Sequence, residues 1–452
     1  MRTRKMRRVS ARYKWDRLKV SFWFAPVVMS LGAILLAGFM YWLDGRIPTE
    51  TLQERYLILS GTPSELRTLL IGMATTILAT AGVVFTLFTL PLSTVAAQYG
   101  SRLLRVFLGD RTTQFVLGMF VATFVYCLVA ALAIPPTNIE PQGPRVTATV
   151  GLVLMIGTFG SLILLVQHIS TMLQAPNIAA AAGAELREVV RAEIPEEIRS
   201  DDHREDEPET RIASLVATDG YAVRVSRTGY IQYIDPQSLM TLAREHNLVI
   251  RLLYKPGQIV FRDTRVALVW PAAQIDDELD RQIRKAFRIG NGRTPTQDVA
   301  YAFNQLVEIA VRAMSPAIND PFTAMTCLDY MGEGLALFIQ QGEKRPYYYD
   351  QDNQLRLILK PVTFAELAST AFDMLRHCSC DNASVLLYML DVIDAVGQEA
   401  SLPTLSNTVE ARQELLRHVN LIQAESQAGA IIAQDREQIS QRCVKLTDLL
   451  RP

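Results

Sequence analysis

One apolar stretch of the chain carries a row of hydroxylated and small side chains that could contact a permeating ion. The row repeats at spacings of three and four residues, which places its members on one face of a helix. Its members are Thr75, Ala79, Gly82, Thr86, Thr89 and Ser93. Hydroxyls on such a face can line a narrow passage, and a glycine allows close approach. Small-residue faces are also packing surfaces between membrane helices, and the pattern alone favours packing.

Pro91 falls near the end of the same stretch. A proline inside a helix removes one backbone hydrogen bond and bends the axis. We therefore expect a kink, which marks either a gate or a packing adjustment. The stretch 68–97 contains no Asp, Glu, Lys or Arg, whereas ion-coupled carriers usually hold such groups near the membrane midplane. The pattern thus favours a passive pathway over a coupled transporter.

Two polar turns in the C-terminal half could bind a ligand. The turn GNGR (290–293) offers backbone N–H groups beside a basic side chain, and such a combination can hold an anion. The turn SPAIND (315–320) stops one predicted helix and caps the next. A predicted helix over 296–314, about 28 Å long, separates the turns, so they can meet only across a subunit boundary or through another element. Turn and capping roles are favoured for these candidates. The candidate ligand-binding residues are Arg293, Gln297, Asp298, Asn319 and Asp320.

Residues that could hold a metal or act in catalysis are sparse. His377, Cys378 and Cys380 form a short cluster, but a zinc site needs four ligands and no second Cys/His pair lies in this region. The sequence lacks the phosphate-binding, zinc-protease, nucleophile-elbow and dinucleotide motifs. We therefore predict no catalytic residue, no metal, no cofactor and no enzymatic activity.

Charge is divided unevenly along the 452 residues, although the formal net charge is only −1. Residues 1–20 carry a net charge of +8, residues 21–172 carry +1, and residues 173–452 carry −10. This division excludes a purely soluble enzyme, a disordered chain and a disulfide scaffold. We expect the acidic C-terminal part to avoid anionic lipid, because like charges repel.

Four stretches are long and apolar enough to cross a bilayer, which needs about 20 apolar residues. They run over 22–43, 68–97, 114–134 and 146–173. Basic residues precede the first stretch and follow the second, so the N-terminus and the C-terminal part are expected in the cytoplasm. We predict a multi-pass protein of the bacterial inner membrane, with the lipid bilayer as a partner. The basic leader is explained by its place before a span, so no nucleic-acid partner is expected.

The fold class predicted from these patterns is a membrane bundle of four transmembrane helices plus an α+β cytoplasmic domain. A β-hairpin is expected at 347–349 and 355–359. The expected segments are a basic leader (1–21), a four-span transmembrane domain (22–173), a helix and acidic linker (174–210), a small β-rich module (211–272) and a mainly helical domain (273–452).

Several segments carry a resemblance to a known family. They are the segment 74–128, GYIQYID (229–235), KPGQIV (255–260) and above all RTPTQDVAYAFNQLVEIAVRAMSPAINDPFTAMTCLD (293–329). Together they resemble a large bacterial family of predicted inner-membrane proteins catalogued as a domain of unknown function. The resemblance covers nearly the whole chain. It implies an N-terminal multi-span unit, a large cytoplasmic part and a role for SPAINDP beyond capping, and it implies no particular activity.

Two functions remain open at this point. The favoured one is a homo-oligomeric channel or passive transport pathway lined by the second span, with a regulatory cytoplasmic domain and an ion or small molecule as ligand. An oligomer is expected because four spans offer too little material for a pore within one subunit. The alternative is a membrane-anchored scaffold or sensor whose cytoplasmic domain binds a partner or ligand without permeation.

Overall fold

The chain divides into two compact units, Met1–Asn177 and Ile178–Pro452. The first is built from apolar helices, and the second is mainly helical with two small sheets, so the predicted combination of a four-helix bundle and an α+β unit is confirmed. The predicted leader (1–21) and acidic linker (195–210) lie outside the described residues. The computed structural model describes residues 23–46, 59, 61–99, 110–135, 144–172, 174–191, 220–342, 346–401 and 408–451.

Four apolar helices form the described part of the first unit. Each contains a segment of 21 to 28 residues that is long and apolar enough to cross a membrane, which confirms the four predicted spans. The second helix has 37 residues and is about 55 Å long, well beyond the hydrocarbon thickness. The helices are α1 (Phe24–Asp44), α2 (Pro63–Tyr99), α3 (Arg111–Ala133) and α4 (Arg145–Met172).

Helix α2 begins earlier than predicted because its first turn has a capping box. The backbone N–H of Thr62 donates to Oε2 of Glu65 at 2.8 Å, and the N–H of Glu65 donates to Oγ1 of Thr62 at 3.4 Å. This reciprocal pair satisfies donors that the start of a helix leaves without intrahelical partners. The predicted stretch was defined only by its lack of charged residues, so it did not include this turn.

The interior of the bundle is apolar, with a few polar links between helices. Leu70, Ile77 and Phe120 are buried in it. The hydroxyls of Thr123 and Thr158 hydrogen-bond across α3 and α4 at 2.8 Å. Each such link removes the cost of an unsatisfied polar group in hydrocarbon, which is several kcal/mol.

A carboxylate from another part of the chain contacts a residue near each end of α4. At its start, the side chain of Asp44 accepts hydrogen bonds from the N–H groups of Val146 and Thr147 at 2.9 and 2.8 Å. Near its end, Nε2 of His168 lies 3.0 Å from Oδ2 of Asp110, and Asp110 also caps the start of α3. Residues distant in sequence therefore fix the ends of the bundle.

The second unit contains nine of the described α-helices. Its interior is apolar, and most of its helix starts are capped by a side chain of the preceding residue. The helices are α5 (Ala175–Arg191), α6 (Pro236–Glu245), α7 (Asp277–Lys285), α8 (Val299–Ala313), α9 (Pro321–Gln340), α10 (Phe364–Cys378), α11 (Ala383–Glu399), α12 (Thr408–Ala428) and α13 (Ala433–Leu450).

Eight described strands form two sheets in this unit. The first sheet has the order β1-β5-β3-β8-β7, with β3 and β8 parallel and the other neighbours antiparallel. The second is antiparallel in the order β4-β2-β6. The strands are β1 (Tyr221–Arg224), β2 (Gly229–Ile234), β3 (Val249–Leu252), β4 (Ile259–Val260), β5 (Arg265–Trp270), β6 (Phe287–Gly290), β7 (Tyr347–Tyr349) and β8 (Leu355–Ile358).

Strands from the C-terminal part complete both sheets. The predicted hairpin is confirmed as β7 and β8, and Leu357 of β8 pairs with Ile250 of β3. The predicted boundary at 272 therefore falls inside one compact unit. Helix α7 ends at Lys285, and the residues that follow form β6 instead of continuing the helix. Phe287 and Ile289 are buried on β6 and alternate with less buried neighbours, and this segment pairs with β2.

A buried histidine joins α10 and α12. The side chain of His418 is fully buried, and its ring packs edge-on against Phe372 with ring centroids 5.3 Å apart. Burial is the main cause that lowers the pKa of His418 to about 4, and the charge of Arg417 acts in the same direction. The carboxylates of Asp373 and Glu414 oppose this shift. The imidazole is therefore neutral at neutral pH.

Acidification should destabilise the second unit through His418. Because its pKa is about 4 in the folded chain and about 6.5 in an unfolded one, only the unfolded chain binds the proton between these values. The unfolding free energy therefore falls by roughly 3 kcal/mol as the pH drops through this interval. In mild detergent, His418→Gln should lose less melting temperature between about pH 7 and about pH 5 than the wild type. His246→Gln, which changes an exposed side chain, is the control and should behave as the wild type. Equal losses in His418→Gln and the wild type would contradict this account.

Candidate functional site

The row of small and hydroxylated residues on α2 lies on the outer surface of the first unit. Five of its six members are exposed and Thr89 is half-buried. The α2 residues that pack inside the unit include Leu70, Ile77, Val84 and Phe88. Successive residues of an α-helix are about 100° apart around its axis. The row and these packed residues therefore lie on roughly opposite faces of α2. The row, which we name the α2 row, therefore faces away from the other helices of its own unit.

The hydroxyls of the α2 row all donate within their own helix. Those of Thr75, Thr86, Thr89 and Ser93 each bond a backbone carbonyl three or four residues earlier, at 2.8 to 3.1 Å. A hydroxyl has one hydrogen to donate and two lone pairs that accept. Because the hydrogen is used inside the helix, the row presents acceptor oxygens to its surroundings. Such a surface suits a cation or the hydrogens of water better than an anion.

Pro91 lies inside a continuous helix. The backbone of α2 is helical past this residue as far as Tyr99. Its side chain lies outside the described residues, so the kink or gate stays a prediction.

A groove lies between the N-terminal half of α2 and α4. It has a volume of about 770 Å³, and the α2 residues along it include Thr68, Gly72 and Thr76. Leu152 and Met155 of α4 form its other wall. The small residues of α2 thus leave a recess on the surface of the unit.

Three of the five predicted ligand-binding residues lie together at the start of α8. The guanidinium of Arg293 donates from Nε and Nη2 to the two carboxylate oxygens of Asp298 at 2.7 and 2.9 Å. Asp298 is buried and accepts from the N–H of Tyr301, which caps α8. The amide of Gln297 bonds both the N–H and the carbonyl of Ile234, at 2.9 and 3.0 Å. Among the described residues, Nη1 of Arg293 has no hydrogen-bond partner.

A glycine that the sequence analysis did not single out completes this polar site. Gly257 has a φ of +88°, and a Cβ placed on it would collide with the carboxylate of Asp298. Its N–H donates to the carbonyl of Ile231 at 2.8 Å. Nearby, Nε2 of Gln232 donates to the carbonyl of Gly292 at 2.9 Å. The segments GYIQYID, KPGQIV and RTPTQD, which carry the family resemblance and are distant in sequence, therefore meet here. That shared resemblance was the signal that could have indicated Gly257.

The other two predicted ligand-binding residues lie beyond the opposite end of α8. Asp320 caps α9 by accepting from the N–H of Thr323 at 3.1 Å, and Asn319 has a left-handed φ of +48°. Helix α8, about 22 Å long, separates them from Arg293. The structure thus brings Arg293, Gln297 and Asp298 together and does not bring Asn319 and Asp320 to them. A ligand at either place stays a prediction.

The His377 cluster lies at and just beyond the end of α10. Nδ1 of His377 lies 2.8 Å from Oε1 of Glu425, and Cys378 is the last residue of α10. Within the described ranges, no group of three or more His, Cys, Asp and Glu side chains is placed to hold a metal ion.

The four spans and the unit that follows them define a multi-span membrane protein. A family described as "Predicted membrane protein (DUF2254)" matches residues 19–395, and the chain belongs to this family. The resemblance found in the sequence is thereby confirmed. The chain is similar to the uncharacterized protein Rv1290c of Mycobacterium tuberculosis and the uncharacterized protein Mb1321c of Mycobacterium bovis. Each is 26% identical to it over 413 residues, which cover 89% of this chain and 76% of the relative. No solved structure matches.

Substitution of Gly257 should disturb the polar site directly. We expect Gly257→Ala to lower the unfolding free energy by about 1–3 kcal/mol, because the methyl group displaces the Asp298 carboxylate and the φ is unfavourable for alanine. The measurement is the thermal unfolding midpoint of the full chain in mild detergent. Gly292→Ala is the matched control, since nothing lies within 4 Å of an added Cβ there. If both variants melted like the wild type, the packing of Gly257 against Asp298 would have no energetic role.

Proposed function

We propose that the protein is a homo-oligomeric channel or passive transport pathway of the bacterial inner membrane. In this proposal the α2 row lines the passage, and the second unit lies in the cytoplasm and regulates it. The observation that carries the proposal is the direction of the α2 row. Its polar and small residues face away from the other helices of their own unit, and five of the six lie within the candidate span Pro63–Leu90, where lipid would offer them no polar partner.

The interior of one subunit supports an assembly of several copies. Tyr126, Cys127, Ile77 and Phe120 are buried between the four helices, so apolar side chains occupy the centre of the bundle. A passage therefore requires several subunits that bring equivalent surfaces together around an axis. A surface of small residues suits such an arrangement because it allows helices to approach closely.

The flanks of the α2 row have a different character. Leu78, Val83, Phe85 and Leu87 are exposed, bulky and apolar, which suits contact with lipid chains. The row itself holds acceptor oxygens and small groups. A helix with both surfaces fits a position at an oligomer axis, with lipid or neighbouring subunits on the flanks. The acceptor oxygens favour cations over anions as the permeant.

The orientation and the regulatory role rest on charge. Nine basic residues precede the first span, and Arg102, Arg105 and Arg111 follow the second, which favours the cytoplasm for both regions. By the same count of spans, the second unit lies in the cytoplasm. We propose that Nη1 of Arg293 receives an anionic group of a regulatory ligand beside Asp298.

A bulky side chain on the α2 row should block the passage. We expect Thr86→Trp to lower the unit conductance of the reconstituted protein by about tenfold or more, because the indole fills a narrow lumen. Planar-bilayer recording measures this effect. Leu87→Trp places the same side chain on an apolar flank of the row, away from the lumen, and should leave the conductance unchanged. An equal conductance for Thr86→Trp and the wild type would show that the row does not line the passage. If the wild type passes no ions at all, the scaffold or sensor alternative replaces the channel.

The assembly itself can be tested at the glycine of the row. Gly82 has open space around it within its own subunit, so Gly82→Leu should leave the fold of one subunit intact. If the row faces other copies, the same change should dissociate the oligomer. Light scattering in mild detergent measures the mass. Gly160→Leu on α4, which also has open space around it, is the control and should keep the wild-type mass. A wild-type protein that is monomeric under these conditions, and that shows no cross-linked species in membranes, would rule out the oligomer.

A further inference from the structure

Two loops of the second unit lie side by side where the two sheets are connected. Residues 225–228 join β1 to β2, and residues 261–264 join β4 to β5. The N–H of Val225 donates to the carbonyl of Thr264 at 3.1 Å, and the N–H of Asp263 donates to the carbonyl of Val225 at 2.9 Å. The two loops therefore form one surface, which also includes the last residue of β1 and the first of β5.

This surface concentrates positive charge. Four exposed arginines lie on it with a single acidic residue, Asp263. One of the four, Arg224, donates from Nη1 to the backbone carbonyl of Asp263 at 2.7 Å. The other three have no ion-pair partner among the described residues. We name this surface the arginine corner, and its basic residues are Arg224, Arg227, Arg262 and Arg265.

Two of these arginines repel each other in the folded protein. The pairing of β1 with β5 brings Arg224 opposite Arg265, next to a register shift after Val223. Like charges in directly opposite positions destabilise a strand pair. An anion that contacts both guanidinium groups removes this repulsion, and phosphate suits them because it accepts two hydrogen bonds from one guanidinium.

The arginine corner also exposes apolar side chains. Phe261 is 61% exposed and precedes Arg262, and Ile259 on β4 is 44% exposed. Basic side chains around an exposed aromatic ring are typical of surfaces that bind the membrane interface. The ring enters the headgroup region, and the guanidinium groups contact lipid phosphates.

The charge of the arginine corner is opposite to the net charge of the unit that carries it. The second unit has a net charge of −10 and is repelled by an anionic membrane as a whole. The arginine corner carries the opposite sign. The unit begins at Ile178, shortly after α4 ends at Met172, so the chain tethers it to the helices that are apolar enough to span a membrane. The tether raises the effective concentration of the unit at the membrane. A weak lipid-binding surface is therefore bound to lipid far more of the time than it would be on a free unit.

We propose that the arginine corner docks on anionic phospholipids of the membrane in which the four helices lie. Phe261 enters the interface, and the four arginines bind the phosphates around it. Docking holds the second unit in one orientation at the bilayer. The proposal requires the helices to span a bilayer but does not require them to conduct ions, so its test is independent of the conductance experiments.

The test places a fluorescent label at the tip of the arginine corner. The full chain with Cys378→Ser and Cys380→Ser receives Phe261→Cys and a polarity-sensitive label, and is reconstituted into vesicles. Vesicles with about 30% phosphatidylglycerol are compared with vesicles of phosphatidylcholine alone. We expect a blue-shifted emission and about twofold stronger quenching by lipid-borne nitroxide in the anionic vesicles. Raising the salt to about 1 M should remove the difference.

Two controls separate specific docking from general proximity to the membrane. The same label at Met374→Cys, a site of matched exposure beside Asp373, should show no dependence on lipid charge. Changing Arg227, Arg262 and Arg265 to Glu should abolish the difference at position 261 while the melting temperature stays that of the wild type. Equal emission and quenching at position 261 in both lipids would overturn the proposal, as would an undiminished difference in the charge-reversed variant.

Discussion

Hydrocarbon offers no hydrogen-bond partner, so the polar groups of the first unit must find their partners within the protein. This constraint explains its details. The hydroxyls of α2 bond their own helix, Thr123 bonds Thr158, and Asp44 satisfies the first N–H groups of α4. The charged residues that contribute to the bundle are at helix ends, where interfacial water is near. Once these needs are met, the α2 row still presents small polar surface outward along a span.

In the second unit, the carboxylate of Asp298 has a comparable role. It receives the guanidinium of Arg293, caps α8 through the N–H of Tyr301, and fills the space that the missing side chain of Gly257 leaves open. One buried group therefore joins the β4 region, the end of β6 and the start of a long helix. Under the proposed regulation, a ligand that drew Arg293 away from this carboxylate would affect all three.

Much of this architecture could be predicted from local patterns. The spans follow from uncharged length, and the hairpin follows from Tyr347–Tyr349, a polar turn and the apolar run at Leu355. The end of α7 could not be predicted in this way. Phe287 and Ile289 are compatible with a continuing helix, and only their pairing with β2 makes them a strand. Periodicity also shows that the α2 row occupies one face, but it cannot show which face packs inward. The contact of Gly257 with Asp298 depends on tertiary packing, which no local pattern contains.

The hydroxyls of the α2 row have a consequence for proton transfer. A chain of hydrogen-bonded groups relays protons only if each member can both donate and accept. On this face the hydroxyls donate to the helix backbone, so an oxygen could pass a proton on only after that hydrogen bond breaks. Water along such a wall would orient its hydrogens toward the protein. In the proposed passage, the wall would therefore be a poor relay for protons.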